Sequence, residues 1–210
     1  MDATPDPTVV DFWFDPVCPY SWTASRWLLE VGQRRRLRVR HHVMSLYLLN
    51  AHRTDVAADY RRVLDDSRGP SRVATAAVTR FGDDVLGAFY TAFGEVVFDH
   101  WRHPSSAEYH VAVRVALPRA GLPPDLEDAM ESDEHDEALR RSHETGIAPI
   151  AGDVGTPITH LDGVAVYGPV LNAIPRGDDA VRVFDGTRLL AGYPQFFELK
   201  RTRVRPPVFT

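Results

Sequence analysis

The apolar positions of this chain change their period along its length. Val9-Val10-Asp11-Phe12-Trp13-Phe14 is a short, β-branched and aromatic run between Pro7 and Pro16, the pattern of a buried strand. From Pro19 to Arg34 the spacing turns helical. Pro19 suits a first helical position, where its missing N–H costs nothing, and Trp27, Leu28 and Val31 share one face. Gly32 and the basic run Arg34-Arg35-Arg36 are expected to close that helix. Leu37–Met44 alternates in part and predicts a second strand. From Thr54 to Gly152 no strand pattern recurs. Val56–Asp66, Pro70–Phe81, Asp83–His100, Ser105–Ala120, Pro124–Met130 and Asp133–Thr145 all suit helices, with Asp83 and Ser105 as expected N-caps. Alternation returns at Thr156–Leu161 and Val164–Tyr167, joined by Asp162-Gly163, a strong hairpin signal. A helix over Arg176–Ala191, a short one over Pro194–Arg201 and an extended tail from Arg203 to Pro207 complete the reading.

The order strand, helix, strand, helical block, hairpin, helix predicts an α/β protein. A βαβ unit followed by a ββα unit is the thioredoxin-like arrangement, here with a large all-helical insertion. The expected boundaries are residues 1–53 and 153–210 for the thioredoxin-like domain and 54–152 for the inserted helical domain.

Composition narrows the function classes. A net charge of −5 gives no nucleic-acid footprint. No apolar run reaches the length of a membrane span, and the N-terminal Met1-Asp2-Ala3-Thr4-Pro5 has neither a basic nor an apolar leader region, so a cytoplasmic protein is expected. Lys200 is the only lysine among 24 basic residues, the signature of a high-GC genome. No glycine-rich phosphate fingerprint is present, and no tightly bound cofactor is expected.

The candidate chemistry begins with a single sulfur. Cys18 is the only cysteine of the 210 residues, so neither an internal disulfide nor a cysteine metal cluster can form. It stands in Asp15-Pro16-Val17-Cys18-Pro19-Tyr20-Ser21-Trp22, after a strand and at the start of a helix. There the partial positive charge of the helix terminus favours the thiolate. Three residues on, where a dithiol protein carries its second cysteine, stands Ser21, which can donate a hydrogen bond to the thiolate but cannot resolve a mixed disulfide. The plainer alternatives are a buried cysteine acting as a small apolar side chain and a chain that keeps the fold without catalysis.

The segment Phe12–Trp22 resembles the active-site segment of DsbA-like thioredoxin-fold proteins. It is most similar to the actinobacterial mycothiol-dependent nitroreductase family, as a Cys-Pro-Tyr-Ser variant of that family's Cys-Pro-Trp-Cys. Val154-Gly155-Thr156-Pro157-Ile158, Tyr167-Gly168-Pro169-Val170, Ile174-Pro175-Arg176-Gly177 and Phe197–Arg201 resemble its later motifs in the same order. The resemblance implies Cys18 as nucleophile, a helical lid, and Pro157 as a cis-proline facing the sulfur, leaving the Thr156 backbone free to align an incoming thiol. By chemistry alone Pro157 reads equally as a trans proline starting a strand. It further implies a thiol oxidoreductase using mycothiol or a similar small thiol as co-substrate, by a monothiol route through Cys18 with Ser21 in support. Pro19-Tyr20-Ser21-Trp22 also resembles kappa-class glutathione transferases and hydroxychromene-carboxylate isomerases. In that alternative Cys18 and Ser21 anchor a bound thiol without covalent linkage. A third reading is a non-catalytic binding member, and a homodimer is expected by analogy with the superfamily.

Further candidates surround this motif. Tyr20 and Trp22 flank Cys18 and would suit a flat aromatic substrate, although core packing is the first reading for Trp22. Asn50 and Tyr60 correspond to polar pocket residues in the resemblance; by chemistry Asn50 reads equally as an N-cap or turn residue and Tyr60 as a half-buried aromatic. His100 and His103 have a helix-like spacing open to a metal, but Pro104 interrupts it and no carboxylate shares the face, so no metal is expected. His100 and Trp101 are instead expected to line the pocket over Cys18. His41 and His42 should point to opposite faces of a strand. Phe89, Phe93 and Phe98 fit a helical core stripe.

Overall fold

A computed structural model describes residues 6–99 and 104–209. Four strands form one sheet, ordered β2-β1-β3-β4: β1 (Thr8–Phe14), β2 (Leu37–Val43), β3 (Ile158–Leu161) and β4 (Val164–Tyr167). β1 pairs parallel with β2, Thr8 opposite Leu37 and Phe14 opposite Val43, through the crossover helix α1 (Pro19–Gly32). β3 runs antiparallel to β1, with Trp13 opposite Ile158, and antiparallel to β4. Asp162 and Gly163 close the hairpin with φ of 51° and 83°, the left-handed conformations a two-residue turn of this kind requires. The fold is α/β, as expected.

Between β2 and β3 the chain is helical: α2 (Leu46–Asn50), α3 (Ala58–Asp66), α4 (Arg68–Phe81), α5 (Leu86–Asp99), α6 (Ser106–Arg119) and α7 (Asp136–Ile147), followed after the sheet by α8 (Gly177–Ala191). Ser105 caps α6 in a capping box, its backbone N–H donating to the Glu108 carboxylate at 2.7 Å. One apolar core runs from the sheet into these helices. Phe12, Phe14, Trp27 and Leu28 bury against Phe89, Phe93 and Phe98, which form the expected stripe. A bidentate pair joins α4 to α7, Arg72 donating to both Asp136 oxygens at 2.7 Å.

Several expected boundaries move. Pro124–Met130 is 3₁₀ rather than α-helical, and Asp83–Val85 is a separate 3₁₀ turn ahead of α5, with Gly82 rather than Asp83 in the N-cap position. Sequence reading missed α2, a five-residue helix whose cap is Ser45, the hydroxyl accepting from the Leu48 N–H at 3.4 Å. Pro194–Arg201 forms no helix. Phe197 and Leu199 are 88% and 77% exposed, so an apolar helical face there would have nothing to pack against.

Candidate active site

The chemistry starts where β1 ends. Phe14 enters the core, and the chain turns through Asp15, whose buried carboxyl accepts from the Val17 N–H at 2.9 Å and the Leu46 N–H at 2.6 Å. Those two bonds tie the end of β1 to the start of α2. The Cys18 N–H donates to the Asp15 carbonyl at 3.0 Å, and Cys18 takes the N-cap position of α1 with Pro19 directly after it. Pro19 thus starts the helix as its ring geometry favours.

Thr156 faces this turn from the far end of the chain. Its peptide bond to Pro157 is cis, and its carbonyl accepts from the Cys18 thiol at 3.6 Å. Its hydroxyl accepts from the Asp15 N–H at 3.3 Å and lies 2.7 Å from the Ser21 hydroxyl. Cys18, Ser21, Thr156 and Pro157 therefore meet, but the Thr156 backbone is not vacant. The expectation that it stands open to an incoming thiol is corrected: Thr156 is buried and its carbonyl already holds the Cys18 S–H.

Burial also reverses the expected ionisation of the sulfur. Cys18 is only 4% exposed, and loss of solvent pushes its thiol up to about 11. The Ser21 N–H opposes that rise, the Asp15 charge adds to it, and the Ser21 hydroxyl and Tyr20 N–H oppose it again. Desolvation outweighs the helix terminus, so the resting group is a thiol rather than the thiolate expected from its sequence position. Asp15 is raised too, to about 7, by burial against the restraint of the Leu46 and Val17 N–H groups. The site thus holds a thiol and a carboxyl in electrostatic contact, with the carboxyl titrating near neutrality.

The remaining candidates separate. Trp22 is buried, stacked on Phe98 at 5.2 Å, edge-on to Tyr90 at 5.6 Å and covered by the Arg26 guanidinium 4.1 Å from its ring centre. It is core, which corrects its assignment as a substrate platform. Tyr20 remains partly exposed at the mouth. Asn50 ends α2, turns its amide back on the Leu46 carbonyl at 2.8 Å and accepts from the Arg53 N–H at 3.1 Å, so it is a turn residue rather than an N-cap. Tyr60 lies early in α3, 44% exposed, its phenol raised by partial desolvation first and then by the charges of Cys18 and Asp15. His100, Trp101 and His103 lie outside the described residues. Among the described residues no cluster of three metal-ligating side chains forms. His41 and His42 do point apart: His41 edges onto Phe12 and Phe14, while His42 stacks on Trp13 at 4.2 Å and meets Asp11 at 2.9 Å.

Sequence reading missed Asp15 as a member of the site. Asp15 carried a usable signal, an acid at the end of an aromatic strand three residues before the cysteine.

A model described as the mycothiol-dependent nitroreductase Rv2466c matches residues 17–201. The chain belongs to the Rv2466c-like family. That match spans both Cys18 and the Thr156–Pro157 turn, which meet in the structure. A curated relative, the uncharacterized protein Rv2286c of Mycobacterium tuberculosis, is 29% identical over 93% of this chain and 83% of its own. Solved structures share the fold. A probable DsbA oxidoreductase from Streptomyces coelicolor gives a TM-score of 0.53 at 15% identity, covering 94% of each chain. A 2-hydroxychromene-2-carboxylate isomerase gives 0.54 at 16%, covering 85% of this chain and 93% of its own. Chlamydia trachomatis DsbA gives 0.52 at 13%, covering 90% and 91%. The chain shares the fold of these proteins, and no helix among the described residues is long and apolar enough to cross a membrane.

Proposed function

We propose that this family member is a monothiol thiol–disulfide oxidoreductase, with Cys18 as nucleophile and mycothiol or a similar small thiol as co-substrate. The observation that carries the reading is the 3.6 Å approach of the Cys18 sulfur to the Thr156 carbonyl at the cis Thr156–Pro157 bond. It puts the only thiol of the chain against the residue that precedes the cis-proline. The family's mycothiol dependence supports the choice of co-substrate.

The cycle needs no second protein sulfur. Cys18 loses its proton and attacks one sulfur of a disulfide; a mixed disulfide forms on Cys18 and the other half leaves as thiolate. A free small thiol then gives up its proton, attacks the mixed disulfide and departs as a new disulfide, and the released Cys18 thiolate takes up a proton. The exchange is electron-neutral overall, one disulfide consumed and one formed. Asp15 works against the first step, since its ionised carboxylate opposes the Cys18 thiolate. Intact mass after incubation with mycothiol disulfide is expected to rise by one mycothiol, to fall back with excess thiol, and to stay constant in Cys18→Ser. A wild-type protein that takes no adduct between neutral pH and pH 9 defeats the proposal.

One observation favours a second reading. A thiol held near 11 can donate its proton as a hydrogen bond to the thiolate of a bound small thiol, the non-covalent role of a transferase or isomerase. In that case Cys18→Ser keeps most of the activity, whereas the exchange cycle requires its loss.

A further inference from the structure

Past α8 the chain has no regular structure, yet it does not wander off. The Val208 N–H donates to the Asn172 carbonyl at 2.7 Å, the Asn172 amide donates to the Pro206 carbonyl at 3.1 Å, and Phe209 packs on Phe98 at 5.2 Å between ring centres. Phe98 in turn stacks on Trp22, so the tail is fastened to the first turns of α1. This anchoring brings Arg203 onto Tyr20 and Tyr167. Its guanidinium lies 4.8 Å from the ring centre of Tyr20, two residues beyond Cys18, and donates to the Tyr167 hydroxyl at 3.1 Å.

Tyr167 belongs to the opposite wall. It ends β4, directly opposite Ile158, the residue after Pro157. A Cβ on Gly155 would lie 2.7 Å from the Tyr167 hydroxyl, so that hydroxyl rests on the backbone leading into the cis Thr156–Pro157 bond. Arg203 therefore bridges the Cys18 wall and the Pro157 wall. A guanidinium has five N–H donors; here one goes to Tyr167, and among the described residues no carboxylate pairs with this arginine.

We propose that Arg203, held by Tyr167 and stacked on Tyr20, is the positioning residue that grips the acceptor oxygens of the small thiol or disulfide whose sulfur reacts at Cys18. The inference rests on the thiol-exchange reading and extends it from the sulfur to the rest of the substrate. A substrate rich in carboxylate, nitro or hydroxyl oxygens finds a planar fork of donors at one end and the Cys18 sulfur at the other. A substrate of equal size without such oxygens gains nothing from the fork.

Two aromatic disulfides test this directly: dithiobis(nitrobenzoate), which carries carboxylate and nitro oxygens, and dithiodipyridine, which carries neither. The readout is the ratio of their second-order rate constants with Cys18 in wild type, Arg203→Ala, Arg203→Lys and Tyr167→Phe. Arg203→Ala is expected to lower the ratio about five- to tenfold, the loss of one charge-assisted hydrogen bond at a partly exposed site. Arg203→Lys should recover part of it through charge, and Tyr167→Phe should lower it less than Arg203→Ala. An unchanged ratio overturns the assignment, as does a parallel rise in both rates, which would make the tail a simple cover. The ratio is read at pH 9 as well as at pH 7.5. A wild-type Cys18 that is slow with both reagents at pH 7.5 counts against the exchange cycle, while the pH 9 ratio still decides the role of Arg203.

Discussion

Replacing Asp15 by asparagine should change how stability depends on pH, in a direction and amount fixed by the structure. The folded carboxyl titrates near 7 against an ordinary 3.8, at about 1.36 kcal/mol per pH unit, so ionised Asp15 costs the folded state about 4 kcal/mol. The folded state binds the proton more tightly than the unfolded one. The stability associated with that proton is therefore whole below pH 4, is lost as pH rises from about 4 to 7, and is absent above. Asparagine is never charged and carries no such loss. It also puts an amide N–H where the carboxylate met either the Val17 or the Leu46 N–H, forfeiting about 1–3 kcal/mol at every pH. Urea unfolding of both proteins from pH 4 to 8.5 gives the difference curve, in which the histidines common to both cancel. Asp15→Asn should be the less stable protein at pH 4 and should gain about 4 kcal/mol relative to wild type by pH 8. The same variant should lower the midpoint of Cys18 alkylation, because one opposing charge has gone. A flat difference curve would refute the claim that Asp15 is buried and carries its charge at a cost.

Other substitutions probe the surroundings of the site. A Cβ on Gly94 would fall 2.1 Å from the Trp22 ring, which Phe98, Tyr90 and Arg26 hold in place, so Gly94→Ala should lose about 1–3 kcal/mol despite its better helix propensity, read by thermal unfolding. Arg72→Ala leaves the Asp136 carboxylate without its bidentate partner and should cost about 3 kcal/mol in urea unfolding, more than loss of an exposed pair such as Arg80 with Asp125. His41 and His143 are each held near 4, chiefly by burial, so both contribute stability above pH 6.5 that is lost as pH falls towards 4. His143→Asn should accordingly flatten the acid limb of the wild-type stability curve; an unchanged limb would contradict its burial as a neutral ring.

The fold was legible wherever one period held over a whole element. β1, the hairpin at Asp162-Gly163 and the phenylalanine stripe of α5 all stand where their patterns place them, because each pattern reports one buried face. The short α2 was not legible: five residues span little more than one turn and show no period, and only the Ser45 cap marks them. The site was legible as a motif pair, Cys18-Pro19 with Thr156-Pro157, but its charge state was not. Helix position argued for a thiolate, while burial depends on what distant parts of the chain, Thr156 among them, bring against the sulfur. Trp22 shows the same limit, since its neighbour Gly94 is 72 residues away in the chain and lets α5 close upon it.

The bond from Cys18 to Thr156 spans 138 residues. During synthesis the cysteine leaves the ribosome long before the residue that will shelter it exists. For that interval it is an ordinary thiol, more readily oxidised or alkylated than in the finished protein, where loss of solvent holds it protonated. The same sulfur is therefore most vulnerable in the newborn chain, and completion of the C-terminal third both shields it and brings the oxygen-gripping arginine to its side.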